Sequence, residues 1–230
     1  MSVIETVDLI KQYNGVTVLD LPDLKIDQGE RFGLVGNNGA GKTTFFSLIL
    51  DLIEATEGQV LSKARPVSRS DHWKSYTNAY LDERFVIDFL TPEEYFEFVA
   101  GLHRLEKTEY DFFTDRFADF FNDEILGKGK YIRDLSRGNQ KKVGIAAAFM
   151  SSPEILIMDE PFPNIDPTSV IRLKKLLKNT EATILISSHD LNHVTEVCDR
   201  IVILEKGIAR HDLQTEKNTL EELERYFTAE

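Results

Sequence analysis

Short apolar runs alternate with longer amphipathic stretches over the last third of the chain. The runs have the length of strands, and the stretches between them are long enough to form helices. Because strands joined by helices lie parallel and a parallel sheet is buried on both faces, this alternation predicts a parallel sheet flanked by helices. The predicted strands span residues 155–158, 183–186 and 201–204, and the predicted helices span residues 167–178 and 191–198.

The first 60 residues also contain many strand-like runs. Four runs in the lead-in are separated by turn sequences such as Asn14-Gly15, and they lie at residues 3–4, 7–10, 16–19 and 24–26. A short buried strand at 31–35, a helix at 45–50 and a further strand at 59–61 are predicted next. Residues 62–78 are polar, and their pattern predicts no particular element.

The composition changes between residues 80 and 121, where 12 of the chain's 23 aromatic residues fall. Thr91-Pro92-Glu93-Glu94 is typical of a helix start with proline in the first turn. A helical lobe at about residues 84–138 is therefore predicted as an insertion. Its phenylalanines on one helical face are expected either to form the lobe's own core or to line a protein-binding groove. They are Phe113, Phe117, Phe120 and Phe121.

The bulk composition limits the kind of partner. The 230 residues carry a formal net charge of -12 at pH 7, which argues against a surface that coats nucleic acid or an anionic membrane. The one cysteine, Cys198, excludes an intrachain disulfide and suits a reducing compartment. No signal region and no apolar run near the roughly 18 residues of a membrane span is found, so we expect a cytoplasmic protein.

Residues 36–44 read GNNGAGKTT and fit the phosphate-binding pattern G-x-x-x-x-G-K-[ST] in a strand–loop–helix setting. Glycines let successive backbone N–H groups point inward, and the helix N-terminus adds partial positive charge. Lys42 is expected to reach the β- and γ-phosphates, and Thr43 to offer its hydroxyl to Mg²⁺. The predicted nucleotide-binding residues of this loop are Gly36, Asn37, Asn38, Gly39, Ala40, Gly41, Lys42, Thr43 and Thr44.

Two adjacent carboxylates end the predicted strand at 155–158. In an open α/β sheet, ligands bind at the carboxyl ends of the strands, where Asp159 and Glu160 are expected to lie. Beside a phosphate loop, Asp159 can hold Mg²⁺ directly or through water. Glu160 can orient or deprotonate the water that attacks the γ-phosphate.

Leu135-Ser136-Arg137-Gly138-Asn139 precedes a helical run and resembles the L-S-G-G-Q signature of the ATP-binding cassettes of ABC transporters. The leucine, serine and glycine match, whereas Arg137 and Asn139 depart from the consensus. In that family the signature of one subunit meets the γ-phosphate held by the phosphate loop of the other. The alternative interpretation is a helix N-cap with no other role, because serine is a common cap.

Further elements of this family follow in order and cover almost the whole chain. Residues 163–166 resemble the D-loop, with Asp166 as its aspartate, and residues 187–190 resemble the switch segment, with His189 contacting the γ-phosphate. Tyr13 resembles the aromatic residue that stacks on adenine. The resemblance therefore implies a catalytic set of Glu160, His189 and Lys42.

The resemblance also implies the fold. It is an α/β fold with a P-loop NTPase core of the ABC-cassette type, in which a parallel sheet is flanked by helices. An N-terminal antiparallel β subdomain and the inserted α-helical subdomain complete a nucleotide-binding domain over residues 1–230.

One family position departs from its pattern. The family usually has a glutamine between the phosphate loop and the helical lobe, where it touches Mg²⁺. The matching residues 79–84 contain none, so Glu83 is the expected occupant and Asp82 the alternative. An acid there can still meet Mg²⁺ through oxygen. The predicted metal ligands are therefore Thr43, Asp159 and Glu83.

The resemblance implies a stand-alone nucleotide-binding subunit that binds ATP and Mg²⁺ and hydrolyses ATP. It is expected to dimerise head to tail, most simply as a homodimer, and to drive a separately encoded integral membrane permease, peripherally on the cytoplasmic face of the cell membrane. The residues of its motifs are most similar to those of bacterial exporter-type cassettes. Two alternatives stay open: a non-transport ABC ATPase acting on DNA or the ribosome, and an ATP-binding regulatory module with little turnover. Its acidic charge argues against nucleic acid as a partner.

Overall fold

One mixed sheet organises residues 1–228, which are the residues that the structure, a computed structural model, describes. Within them eleven strands join one sheet in the order β6-β5-β1-β2-β11-β10-β4-β9-β8-β7, and β3 pairs with β1. The strands are β1 (Ser2–Tyr13), β2 (Val16–Leu21), β3 (Lys25–Asp27), β4 (Arg31–Val35), β5 (Glu57–Ser62), β6 (Arg65–Pro66), β7 (Thr77–Tyr80), β8 (Ile155–Asp159), β9 (Thr183–Ser188), β10 (Arg200–Glu205) and β11 (Ile208–Gln214).

The sheet has a parallel half and an antiparallel half. Strands β10, β4, β9, β8 and β7 pair parallel to one another. The N-terminal strands β1, β2, β3, β5 and β6 pair antiparallel. Strand β11 joins the halves, since it pairs antiparallel with β10 and parallel with β2. The predicted α/β fold, with a parallel sheet and an antiparallel N-terminal β region, is confirmed.

Seven helices accompany the sheet within residues 1–228. They are α1 (Lys42–Ile49), α2 (Pro92–His103), α3 (Lys107–Phe121), α4 (Arg137–Ala148), α5 (Pro167–Lys178), α6 (Leu191–Val197) and α7 (Thr219–Thr228). Helix α2 begins where the sequence predicts, because Thr91 and Glu94 form a reciprocal capping box with Pro92 in the first turn. Helices α2 and α3 lie inside the predicted lobe at about residues 84–138, whose boundaries stay a prediction.

The parallel strands are buried on both faces. Along β8 the side chains alternate, since Ile155 and Ile157 pack in one hydrophobic cluster and Leu156 and Met158 in the other. The first cluster includes the phenylalanines of α1, and the second includes the phenylalanines of α3. This burial explains why the strands read as continuous apolar runs.

The four phenylalanines on one face of α3 are all buried. Phe113 packs against Phe96 of α2 with ring centroids 5.2 Å apart, and Phe117 packs against Phe149 after α4 at 5.3 Å. The interpretation of this face as core is therefore confirmed. The alternative, a protein-binding groove lined by the same four rings, is wrong because no more than 6% of any of these residues is exposed.

Three other expectations need correction. The runs at 3–4 and 7–10 belong to the one strand β1, which continues through Asp8 in a left-handed conformation with φ 47°. Residues 62–78, where no element is predicted, contain β6, two 3₁₀ turns and the start of β7. Strand β11 and helix α7 are not predicted at all. The largely exposed β11 lacks the apolar alternation by which a half-buried strand is recognised.

Candidate nucleotide-binding site

The predicted phosphate loop joins β4 to α1 at the carboxyl edge of the parallel strands. Gly41 precedes α1 with φ 110°, and no side chain caps the helix, so its first N–H groups stay open to a ligand. A Cβ atom built on Gly36 would lie 2.3 Å from the carbonyl oxygen of Leu204, so only glycine fits there. A Cβ atom built on Gly39 would meet nothing within 4 Å. The loop therefore packs tightly against β10 yet leaves open space at Gly39.

Lys42 is a buried cation at the first position of α1. Its Nζ donates to the carbonyl oxygen of Gly36 at 2.6 Å and lies 3.4 Å from Oε1 of Glu160. The ammonium group is thus held over the loop by its own backbone and by a carboxylate. An incoming phosphate can replace that carboxylate as the anion next to Lys42.

Asp159 ends β8, and both of its carboxylate oxygens are hydrogen-bonded. The hydroxyl of Thr43 donates to Oδ2 at 2.5 Å, and the hydroxyl of Ser187 donates to Oδ1. Burial raises the pKa of Asp159, although the hydrogen bonds from Ser187 and Thr43 oppose that change. The site therefore brings a hydroxyl and a carboxylate into contact beside the phosphate loop.

These two oxygen donors fit Mg²⁺, which prefers hard oxygen ligands and usually completes its shell with water and substrate phosphates. Within residues 1–228 no group of three or more His, Cys, Asp and Glu side chains is placed to hold a metal ion by itself. The donor set thus suits a metal that arrives with a nucleotide. It does not form a closed metal cage of protein ligands.

Glu160 follows Asp159 in a left-handed backbone conformation with φ 46°. Its N–H donates to the Ser187 hydroxyl at 2.9 Å, and its Oε2 lies 2.9 Å from Nδ1 of His189, which follows β9. The other carboxylate oxygen faces Lys42. The structure therefore brings together the three residues predicted to be catalytic, although their roles stay predictions.

A cleft of about 260 Å³ contains most of the predicted nucleotide-binding residues. Tyr13 lies at its edge with 48% of its surface exposed, and Nζ of Lys11 stands 4.7 Å from the centre of its ring. An exposed ring at this edge can stack on a base. The cleft is lined by Tyr13, Val18, Asn38, Gly39, Ala40, Gly41, Lys42, Thr43, Thr44 and Glu160.

The signature-like residues lie apart from that cleft, since none of residues 135–139 is among its described lining residues. Ser136 is the N-cap of α4 and accepts a hydrogen bond from the Asn139 N–H at 3.2 Å. A Cβ atom built on Gly138 would lie 2.6 Å from the carbonyl oxygen of Asn164. Arg137 is exposed at the first position of the helix. Ser136 thus caps α4 and lies outside the cleft that the phosphate loop of the same chain forms.

Asp166 is the N-cap of α5 and accepts hydrogen bonds from the Ser169 N–H at 2.9 Å and the Ser169 hydroxyl at 2.6 Å. It also pairs with the fully buried Lys142 of α4 at 2.7 Å. Although burial acts to raise its pKa, the ion pair with Lys142 and the hydrogen bonds from Ser169 hold the pKa of Asp166 well below its usual range. These contacts fix the D-loop-like segment to the helix that the signature begins.

The two acidic residues expected at the family's glutamine position, Glu83 and Asp82, have different partners. Glu83 opens a 3₁₀ turn, and its Oε2 accepts a hydrogen bond from the Tyr80 hydroxyl at 3.0 Å. Asp82 caps the same turn and binds the Arg84 side chain at 2.9 Å through both carboxylate oxygens. Within residues 1–228 neither acid is hydrogen-bonded to Thr43 or Asp159. A metal role for Glu83 therefore stays a prediction.

Sequence reasoning missed three polar residues of the site. Ser187 links Asp159 and Glu160, and the lysines of α4, Lys141 and Lys142, bind the segment that follows Glu160. Ser187 lies in the switch-like segment two residues before His189, and this position in the motif could have indicated that it belongs to the site. The lysines carry no such signal, because a charged pair on a helix is ordinarily solvated.

Fold and site together define a P-loop domain of the kind that binds nucleoside triphosphates. The family model described as ABC transporter matches residues 19–163. The chain is 37% identical over 206 residues to the uncharacterised ABC transporter ATP-binding protein YhaQ of Bacillus subtilis, which covers 88% of this chain and 68% of that protein. It is 32% identical over 215 residues to the bacitracin transport ATP-binding protein BcrA of Enterococcus faecalis. That match covers 89% of this chain and 67% of BcrA.

A solved structure described as the ATP-binding subunit of an ABC transporter superposes with a TM-score of 0.85 at 27% identity, over 99% of this chain and 94% of that one. The chain belongs to the ABC transporter family, as one of its ATP-binding subunits. It spans 61% and 64% of the length of two other curated relatives, from Synechocystis and Nostoc. None of the helices described in residues 1–228 is long and apolar enough to cross a membrane.

Proposed function

We propose that this subunit hydrolyses ATP with Glu160 as the general base. The observation that supports the proposal is the position of its carboxylate, between the ammonium of Lys42 and the imidazole of His189. When the phosphates of ATP draw Lys42 away, the carboxylate is freed to accept a proton from water. His189 remains 2.9 Å from Oε2 and can hold the carboxylate in that orientation.

Thr43 and Asp159 would hold Mg²⁺, which neutralises phosphate charge and orients the β- and γ-oxygens when it is bound. The open N-terminus of α1 and the loop N–H groups bind the phosphates, and Tyr13 stacks on the base. The loop residues line the cleft of about 260 Å³ in which the nucleotide would bind.

We further propose that two copies close head to tail around two ATP molecules. The support is the separation between the signature residues and the chain's own cleft, since Ser136 lies at the start of α4 and lines no part of the cleft. The start of α4 carries the partial positive charge of a helix N-terminus, which suits an anion. The phosphate would therefore come from the cleft of a second cassette.

The coupled process we propose is transport across the cell membrane through a separately encoded permease, with this subunit held peripherally on the cytoplasmic face. The bacitracin transport ATP-binding protein that the chain resembles carries transport in its name. Two further functions compete with this one: an ABC ATPase that acts on DNA or ribosomes, and an ATP-binding module with little turnover.

Phosphate release tests the hydrolysis proposal. Glu160→Gln keeps the shape of the side chain and removes the base, so we expect hydrolysis to fall by about 100-fold or more, with ATP affinity retained. Glu154→Gln is the matched control, because Glu154 precedes the same strand at its other end and its exposed carboxylate pairs with Lys63. A Glu160→Gln variant with wild-type turnover would remove Glu160 from this role.

Capture from cell membranes tests the coupling. The tagged wild-type chain should retain a multispanning membrane protein whose presence stimulates ATP turnover. Retention of ribosomes or DNA instead would favour the non-transport function. Wild-type turnover as slow as that of Glu160→Gln, with or without a partner, would favour the regulatory module.

A further inference from the structure

Lys141 is a buried lysine whose side chain reaches the backbone next to the proposed base. It belongs to the second turn of α4, five residues after Ser136, and only 6% of its surface is exposed. Its Nζ donates to the carbonyl oxygen of Glu160 at 2.8 Å and to that of Pro163 at 3.0 Å. One ammonium group thus holds both ends of the segment from residue 160 to residue 163.

The backbone of Glu160 needs such support. A non-glycine residue with positive φ is unfavourable and persists only where its surroundings fix it. Here the N–H of Glu160 is held by Ser187 and its carbonyl by Lys141, so both polar backbone groups are fixed in the left-handed conformation. Loss of the Lys141 contact would allow the peptide to rotate and carry the carboxylate away from His189.

Lys141 also lies among acids. The carboxylates whose charge acts on it are Glu83, Glu160, Asp82 and Asp159. Burial lowers the pKa of Lys141 against this surrounding negative charge. A cation at this point offsets the additional negative charge that arises where the family usually has a neutral glutamine.

Tyr80 connects Glu83 to the same helix. Its hydroxyl donates to Glu83 at 3.0 Å, and its ring centre lies 5.9 Å from Nζ of Lys141. A Cβ atom built on Gly144 would lie 2.8 Å from that ring, so the ring packs directly against α4. Glu83, Tyr80 and Lys141 therefore form one packed unit.

We propose that Lys141 is a positioning residue for ATP hydrolysis, which fixes the backbone of Glu160 and compensates the charge of Glu83. This inference rests on the proposed role of Glu160 as the base. It links the segment at the family's glutamine position to the base through one side chain. A shift of Glu83 relative to α4 would then change the orientation of Glu160.

Steady-state kinetics of Lys141→Met test this role. A displaced base should lower kcat by about 100-fold, while the Kd for Mg·ATP stays within about threefold because the phosphate loop is untouched. Lys141→Gln retains a donor for the Glu160 carbonyl without the charge, and we expect a loss of less than about tenfold. Lys128→Met, in an exposed loop, is the control and should match the wild type.

A double-mutant cycle with Glu83→Gln tests the charge compensation. If Lys141 offsets Glu83, Lys141→Met should reduce kcat several-fold less in the Glu83→Gln background than in the wild type. A merely structural lysine would give the same loss in both backgrounds. If Lys141→Met does not unfold cooperatively, Lys141→Gln takes its place in the cycle.

The inference is overturned if Lys141→Met and Lys141→Gln keep wild-type kcat, or if the two backgrounds lose kcat equally. It is also overturned if the loss lies wholly in ATP affinity. If instead the proposed role of Glu160 is wrong, Glu160→Gln would turn over ATP as fast as the wild type, and this result distinguishes the two failures.

Discussion

Removal of the Asp166 carboxylate should destabilise the fold, because a buried lysine depends on it. Lys142 has 1% of its side chain exposed and pairs with Asp166 at 2.7 Å, whereas Asp166 is 42% exposed. Breaking a fully buried pair costs about 3–5 kcal/mol, and the exposure of Asp166 reduces this to about 2 kcal/mol because water screens the charge. Loss of the α5 cap adds about 1 kcal/mol. Asp166→Ala should therefore lower the free energy of unfolding by about 3 kcal/mol.

Urea unfolding at neutral pH measures this change, with Asp115→Ala on the exposed face of α3 as the control. Asp166→Asn keeps an oxygen that can cap α5 and loses the charge, so it separates the two contributions. The double change Lys142→Met with Asp166→Ala should recover much of the loss, because apolar replacements of a buried ion pair are often neutral. A loss of less than about 0.5 kcal/mol in Asp166→Ala would refute the reasoning.

The same pair predicts a pH dependence. Because the pKa of Asp166 is held below its ordinary value of 3.8, its contribution to stability is present above that pH. The contribution is lost as the pH falls from 3.8 toward the lower pKa of the folded state. The stability difference between wild type and Asp166→Ala should therefore shrink on acidification and remain constant between neutral pH and about pH 5.

Three further predictions concern the nucleotide. Lys42→Ala should weaken ATP binding and turnover together, since it deletes the charge facing the phosphates, and unchanged affinity by calorimetry would contradict the phosphate-loop interpretation. Ser136→Arg should leave ATP binding to the monomer intact while abolishing dimerisation and most hydrolysis, and loss of binding in the folded monomer would show that the signature acts in cis. Burial raises the pKa of Asp159 above 3.8, so its carboxylate is protonated at a higher pH than that of an ordinary aspartate. A protonated carboxyl is a poor Mg²⁺ ligand, so the Mg²⁺-dependent part of ATP affinity should begin to fall while the pH is still above 3.8. Calorimetry with and without Mg²⁺ measures it, and the same fall in Asp159→Asn would assign the effect elsewhere.

Periodicity predicted the parallel half of the fold because its signals are local. Strands β8, β9 and β10 are continuous apolar runs, and α5 carries both a capping aspartate and a proline in its first turn. The long strand β1 was divided in two because the polar residues Glu5 and Thr6 interrupt the apolar pattern between the two runs. Strand β11 is exposed along most of its length, so its pairing with β10 left no apolar pattern in the sequence.

In the site too, only features with a local sequence pattern could be predicted. The phosphate loop and the twin carboxylates could be predicted because their spacing along the chain is itself the motif. The contacts of Lys141 with Glu160 and Pro163, and of Lys142 with Asp166, join residues about 20 apart in sequence, at distances that only the packed helix α4 sets. The packing of Gly138 against Asn164 belongs to this class too, because only the fold brings the two loops together.

The central claim is that this chain is one half of a composite ATPase, and the mass of Glu160→Gln in solution tests it most directly. Light scattering coupled to size-exclusion chromatography, with Mg·ATP in the running buffer, should show the mass double from the 26.3 kDa of one chain, with one ATP retained per chain. Adding Ser136→Arg to the same chain should return it to the monomer with ATP still bound. A Glu160→Gln variant that is saturated with ATP and remains monomeric at every protein concentration would contradict the account.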